Sequence, residues 1–126
     1  NGDARTTLET LTHIYELSRN ILNSVNQLPN TTEKTPAMSF AELRKKTLEN
    51  LKATSDKLMA SKDEDLARYN MVFKSENGTR ELPFWNEING PIADALWHTG
   101  QVVSLRRSSG NPFNAKASVL MGKLME

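Results

Sequence analysis

The stretch NGPIADALWHTGQ, at residues 89–101, decides the fold that the sequence predicts. Asn89 is a favourable helix N-cap and Pro91 is well tolerated in a first helical turn, so a helix is predicted to start here. The helix should end before residues 110–112, where the sequence is Gly-Asn-Pro. This stretch therefore favours a helical fold.

One side of this predicted helix carries a polar strip. At about 100° per residue, Asp94, His98 and Gln101 lie along the same side, with Trp97 and Leu105 at its borders. On a surface helix such a strip would face solvent, but this one holds no Lys, Arg or Glu. We therefore interpret it as the lining of an interior site.

Two further long helices are predicted upstream. Over residues 3–28, apolar side chains recur at three- and four-residue steps without Gly or Pro. This pattern is typical of an amphipathic helix, which Pro29 ends. Residues 39–42 match a capping box, so another helix should begin there and run to about Ala60. Its predicted inward stripe consists of Phe40, Leu43, Thr47, Leu51, Thr54 and Leu58.

The remaining segments carry weaker signals. A short helix is predicted over residues 62–73. A two-stranded hairpin could form around the turn dipeptide Asn77-Gly78, but its flanks alternate poorly. The apolar run at residues 82–85 should pack on the helices, and residues 115–125 could add about three helical turns. Together these elements predict an all-α, antiparallel or mixed helical bundle. Its fourth wall would come either from the C-terminal segment or from a helix upstream of Asn1.

Length and composition predict one domain, residues 1–126, of ordinary globular character. The chain holds 16 Lys plus Arg against 15 Asp plus Glu, a net charge of +1 that favours neither nucleic acid nor a membrane surface as a partner. It has no cysteine, which excludes disulfides, thiolate metal ligands and a cysteine nucleophile. We expect a soluble, cytoplasmic protein, although the start without Met points to upstream residues that could hold an export signal.

The pair formed by Asp94 and His98 indicates a metal site. Side chains four residues apart on a helix can bind the same ion. His13, the other histidine of the chain, lies at the margin of the first apolar stripe, where it could face a neighbouring helix. Two imidazoles and one carboxylate, with positions left for water, are typical of catalytic zinc and non-haem iron sites. The alternative is a structural hydrogen bond between Asp94 and His98 in a metal-free helical bundle that serves as a binding or structural module.

Other chemistries lack their signatures. The sequence has no Gly-x-Ser-x-Gly, no Gly-x-x-x-x-Gly-Lys and no Gly-x-Gly-x-x-Gly. Arg106 and Arg107 could clamp an anionic substrate, or could complement the helix dipole at its C-terminus. None of these reaction classes is therefore predicted, and the residues alone leave a metal site and a metal-free bundle as the two alternatives.

The segment from Trp85 through residues 89–101, followed by Arg106 and residues 110–112, resembles the last helix of the DinB/YfiT-like superfamily. The His-x-Gly-Gln element at residues 98–101 is the most recognisable part. Members of this superfamily are four-helix bundles of up-down-down-up topology that commonly hold a divalent metal through three histidines. Where their function is known they include thiol S-transferases and thiol-dependent isomerases, and many others are described as hydrolases.

Carried over by position, the resemblance implies a metal held by His13, Asp94 and His98. His98 matches the last family ligand, and His13 matches the ligand on the second helix. Asp94 stands where the family usually has a histidine. If the first predicted helix is the family's second helix, the first helix of the bundle is missing from the sequence.

The metal hypothesis also assigns the surroundings of the ion. Trp85, Trp97 and Gln101 would lie beside the ligands or in the substrate pocket, and Arg106 or Arg107 would anchor the substrate. A zinc, nickel or iron ion would lower the pKa of a water or of a low-molecular-weight thiol and present it as a nucleophile. We therefore expect a metal-dependent thiol S-transferase or hydrolase that acts on a small molecule, and an uncovered bundle face would favour a homodimer.

Overall fold

Helix α1 (Thr7–Val25) forms the centre of the fold. The computed structural model describes residues 5–126, in which α1 packs against both α2 (Phe40–Met59) and α3 (Ala93–Ser108). Helices make up 56% of the described residues and strands 13%. The prediction of a mainly helical chain is confirmed, whereas the all-α prediction omits two small sheets. No helix in the described part of the chain combines the length and apolarity needed to cross a membrane.

A capping box starts α1. The Thr6 hydroxyl accepts a hydrogen bond from the Glu9 amide (3.2 Å), and the Glu9 carboxylate accepts one from the Thr6 amide (2.6 Å). The helix ends at Val25, and Gln27 follows with a φ of 57°. The predicted helix over residues 3–28 is therefore too long at its C-terminal end, and its predicted first residue lies outside the described residues.

Helix α2 begins as predicted, at the capping box of residues 39–42. Its buried face is narrower than predicted, because Leu43 and Thr54 are buried while Phe40 and Leu51 are exposed. The reason is that α2 packs mainly on α1, which covers only one side of it.

The hydrophobic core lies around the C-terminal half of α1. Its buried apolar side chains are Leu17, Ile21 and Val25 of α1, Leu43 of α2, and Tyr69 and Met71 of the segment after α2. Burying each large apolar side chain contributes roughly 1.5 to 3 kcal/mol. Two buried hydroxyls fix the neighbours of α1: Ser24 donates to the Tyr69 carbonyl (3.0 Å), and Ser18 accepts from the Asn50 amide of α2 (3.1 Å).

The predicted helix over residues 62–73 is wrong. A 3-10 helix spans Asp63–Arg68, after which the chain forms an antiparallel hairpin. The short strand β1 (Asn30–Thr31) pairs in parallel with β2 (Met71–Ser75), which pairs with β3 (Gly78–Leu82). The first three residues of β2 are all buried or half-buried because β1 and α1 both pack against this strand, so the alternation expected of a half-exposed strand is absent.

The approach to α3 also differs from the prediction. A π-helical turn over Ile88–Ile92 runs into α3, whose own N-cap position is Ile92. Asn89 and Pro91 therefore lie inside this turn, and Asn89 is not the cap of the long helix. The end of α3 agrees with the prediction, since the helix stops before residues 110–112.

The C-terminal segment, residues 115–125, does not form the predicted helical turns. It forms a short hairpin of β4 (Ala117–Ser118) and β5 (Lys123–Leu124). Gly122 has a φ of 63° just before β5, a conformation that interrupts a helix. Within residues 5–126 the tail therefore supplies no fourth helix.

Glu87, just before the π-helical turn, is a buried carboxylic acid. It is 1% exposed, and neither carboxylate oxygen has a hydrogen-bond partner among the described residues. Burial raises the pKa of Glu87 from an ordinary value of 4.5 to about 7, and the neighbouring Ser24 hydroxyl offsets part of this rise. The folded protein therefore keeps a proton that the unfolded chain releases between these two pH values.

The variant Glu87→Gln should lose part of the pH dependence of the free energy of unfolding. In the wild type Glu87 lowers this free energy as the pH rises from 4.5 to about 7, because the native state binds more protons over this range. The full difference corresponds to roughly 3 kcal/mol. Urea unfolding at about pH 5 and about pH 8 measures the free energy of unfolding of both proteins. The amount by which the value for the variant exceeds that of the wild type should be larger at the higher pH.

Glu76→Gln, in the exposed turn of the β2–β3 hairpin, is the matched control. An identical pH dependence in the wild type and in Glu87→Gln would contradict the assignment of a proton to the buried Glu87.

Candidate metal centre

Three side chains with metal-binding atoms converge between α1 and α3. His13 comes from α1, and Asp94 and His98 come from α3. One potential ligand atom of each lies within 4.8 Å of the others. The structure thus brings together the three residues that the sequence nominated as ligands, and we call them the His-Asp-His cluster.

Asp94 lies between the two imidazoles and contacts each with a different oxygen. His13 Nε2 is 3.1 Å from Asp94 Oδ2, and His98 Nε2 is 3.3 Å from Asp94 Oδ1. The imidazole rings meet edge-on, with centroids 4.8 Å apart and an angle of 85° between their planes. Both Nε2 atoms therefore face the same carboxylate.

The Gln101 side chain contacts the Nδ1 nitrogen of the His98 ring. Its side-chain oxygen lies 2.7 Å from His98 Nδ1. An amide oxygen only accepts hydrogen bonds, so this arrangement is satisfied when Nδ1 carries a proton, and in the neutral ring Nε2 then holds a lone pair. That lone pair faces the Asp94 carboxylate, and two acceptors at this distance repel each other unless a cation lies between them. The cation can be a proton or a metal ion.

A second carboxylate stands behind His13. Glu16 Oε2 lies 3.8 Å from His13 Nδ1, and its other oxygen accepts a hydrogen bond from the Thr35 hydroxyl (2.6 Å). A carboxylate on the far side of an imidazole orients the ring and raises its basicity toward a metal. Glu16 is therefore placed to support His13 as Gln101 supports His98.

The His-Asp-His cluster is partly accessible to solvent. The side chains are 12% exposed for His98, 25% for His13 and 44% for Asp94. An ion could therefore enter without opening the fold. One cation already lies close, since Arg5 Nη1 is 3.4 Å from His98 Nε2.

The other nominated residues divide between three places. Trp97 and Gln101 line a groove beside the His-Asp-His cluster. Trp85 lines a separate groove after α2, where the neighbouring Phe84 packs edge-on against Tyr69 with 6.3 Å between ring centroids. Trp85 itself is largely exposed, so the expectation that the run at residues 82–85 packs on the helices holds only in part.

Arg106 and Arg107 lie away from this groove. Arg106 donates to the Asn111 carbonyl (3.1 Å) and to the Asn111 side-chain oxygen (3.2 Å), so it fixes the loop that follows α3. Arg107 is exposed and is not among the lining residues of the groove. The arginine that does line it is Arg5, which the sequence analysis did not single out. A position before the first helical turn gave no signal for it, because its approach to His98 spans 93 residues of sequence.

Comparisons with protein-family models, with curated proteins and with solved structures found no match for this chain.

Replacing Gln101 should change the tautomer of His98. Without the amide oxygen that holds the Nδ1 proton, Gln101→Ala should shift His98 toward the form protonated at Nε2. Long-range nitrogen–proton NMR spectra in alkaline, metal-free buffer distinguish the two tautomers. Thr99→Ala is the control, since the Thr99 hydroxyl donates within α3 to Ala95 (2.7 Å) and does not contact the ring. An Nε2-protonated His98 in the wild type would refute the assignment.

Proposed function

We propose that this chain is a divalent-metal-dependent enzyme whose ion is held by His13, Asp94 and His98. The observation that carries the proposal is the convergence of two imidazole nitrogens and a carboxylate oxygen within 4.8 Å of one another. These three residues come from two helices, and 81 positions of the sequence separate His13 from Asp94. A local helical pattern alone does not produce such an arrangement.

The residues present fit a divalent ion of the zinc, nickel or iron type. Imidazole nitrogen suits all three metals, and two histidines with one carboxylate leave coordination positions for a substrate. Gln101 supplies the outer hydrogen-bond partner that a metal-binding imidazole usually has, and Glu16 places a carboxylate 3.8 Å from the outer nitrogen of His13. Asp94 adds a negative charge that offsets part of the charge of the ion.

The reaction would be a thiol transfer or a hydrolysis. A divalent metal, when bound, lowers the pKa of a water or a thiol and so provides a nucleophile near neutral pH. Gln101 would keep the His98 Nε2 lone pair directed at the ion, and the groove beside Trp97 would hold the substrate. The His-x-Gly-Gln element on α3 supports the same assignment through its resemblance to DinB-like enzymes.

Metal binding is the first test. Titration with zinc, nickel and ferrous salts in a calorimeter should show one site per chain, with the affinity falling at least about a hundredfold in His13→Ala and in His98→Ala. Asp94→Asn should weaken binding because it removes the charge of the ligand. Asp56→Asn, an acid on the exposed face of α2, is the matched control and should bind as the wild type does. Binding that survives loss of both histidines would refute the proposed ligand set.

A metal-free binding module is the rival, because a direct contact of 3.1 Å between His13 and Asp94 already joins α1 to α3, and Asp94 also contacts His98 within α3 at 3.3 Å. Under that reading His98→Ala lowers the melting temperature, but zinc changes it in neither protein. Under the proposed function, zinc at about a hundred times its dissociation constant adds roughly 2.7 kcal/mol to the wild type. Melting curves recorded with the titrations therefore separate the two readings.

Catalysis is a separate prediction. Zinc-loaded wild type should accelerate either hydrolysis of 4-nitrophenyl acetate or displacement of chloride from 1-chloro-2,4-dinitrobenzene by glutathione or L-cysteine. In the second reaction the thiol sulfur forms the new bond to carbon, chloride leaves with its electron pair, and the thiol proton goes to the buffer. His98→Ala at equal zinc should fall to the rate of zinc alone. Metal binding without acceleration of either reaction would count against an enzyme of these two classes.

A further inference from the structure

A groove of about 910 Å³ runs beside the His-Asp-His cluster, between the start of α1 and the outer face of α3. His98 lies in its wall, so the groove reaches the proposed metal site directly. Its size is in the range of pockets that bind small organic molecules. The lining residues show which chemistry it would accept.

One wall of the groove is apolar and uncovered. Trp97 is 69% exposed and Leu96 is 64% exposed, and Leu105 lines the groove about two turns further along α3. Large apolar side chains exposed side by side commonly mark a binding surface. An indole ring in this position favours a ligand with a flat, apolar body.

The polar groups of the groove select for negative charge. Arg5 contributes a guanidinium, and the Gln101 amide group can donate because its oxygen is engaged by His98. The described residues that line the groove include no Asp and no Glu. Arginine's planar fork matches a carboxylate in a two-point contact.

We propose that this groove binds a small organic anion, with its carboxylate on Arg5 and its apolar body against Trp97 and Leu96. As a statement about the substrate it rests on the proposed metal-dependent function, whereas as a statement about binding it stands without the metal. The sequence candidates for this role, Arg106 and Arg107, are replaced by Arg5.

Arg5 also links the groove to the metal ligands. Its Nη1 lies 3.4 Å from His98 Nε2, the same atom that would bind the ion. Two cations at this site repel each other, so a metal ion would move Arg5 toward the groove, and an anion in the groove would attract Arg5 away from His98. Anion and metal should therefore each strengthen the binding of the other, by the same factor.

The experiment uses Trp97 as its own reporter. The chain has two tryptophans, and Trp85 lies in a different groove, so Trp85→Phe leaves Trp97 as the single indole. In this background, Trp97 fluorescence is titrated with benzoate and with its neutral isostere benzamide, first in EDTA and then with saturating zinc. Arg5→Ala and Arg5→Lys are compared with Arg107→Ala, which removes an exposed arginine that does not line the groove.

The expected result in EDTA is saturable benzoate binding that is about tenfold tighter than benzamide binding. Arg5→Ala should weaken it about tenfold, Arg5→Lys should have an intermediate effect, and Arg107→Ala should have none. Zinc should tighten benzoate binding by a larger factor in the protein that retains Arg5 than in the variant Arg5→Ala. Circular dichroism verifies that each variant folds.

Equal affinity for benzoate and benzamide, or benzoate binding that is unaffected in both Arg5 variants, would overturn the proposal. Benzoate binding that needs zinc and ignores Arg5 would also overturn it, because benzoate would then be only a metal ligand. If no zinc binds while benzoate binding depends on Arg5, the proposed metalloenzyme function fails and the anion groove stands. If zinc binding depends on the histidines while benzoate binding does not depend on Arg5, the anion groove fails and the proposed metal site stands.

Discussion

The packing of two helices, α2 and α3, on α1 is the constraint on which the rest of the structure depends. Among the described residues, α2 and α3 both contact α1 far more than they contact one another. Short polar contacts fix each packing: Ser18 of α1 bonds to Asn50 of α2, and His13 of α1 contacts Asp94 of α3. Hydrophobic burial alone would allow sliding along these interfaces, whereas a paired polar group has a fixed partner. The candidate site is thus also part of what positions α3.

This arrangement leaves two large surfaces without cover in the described chain. The side of α2 that bears Phe40 and Leu51, and the side of α3 that bears Leu96 and Trp97, both face solvent. A bundle with four walls would bury at least one of them. The groove proposed for an anion uses only the α3 surface nearest His98, so the α2 surface remains available for a second copy of the chain or for another segment. The expectation of a homodimer belongs to that surface more than to the groove.

The sequence predicted well those features that depend on local spacing. The capping box at residues 39–42 and the pairing of Asp94 with His98 follow from short-range geometry, and both are present in the structure. The capping box at residues 6–9 carried an equally clear signal, Thr-x-x-Glu, and would have given the correct start of α1. The approach of His13 to Asp94 was also predicted, whereas other features that depend on long-range contacts were missed.

The hairpin of β2 and β3 shows why such features were missed. Its first strand is covered by β1 and α1, so the pattern of buried residues carries no strand period. Likewise the approach of Arg5 to His98 and the use of Arg106 as a loop anchor depend on where the backbone goes, and no spacing in the sequence encodes either contact. The same holds for the end of the chain, where a helical composition forms a hairpin because a glycine takes a left-handed conformation.

None of the residues of helix α3 is fully buried, and this affects how readily the helix detaches from α1. Its side chains are at most half-buried, and Asp94 and His98 attach it to α1 through their contacts with His13. Elements held in this way open more easily than the core, which here surrounds the other half of α1. An ion shared between His13 and His98 would have to leave, or lose a ligand, each time α3 detached. Under the proposed function, the residence time of the metal and the lifetime of the contact between α1 and α3 would therefore be linked.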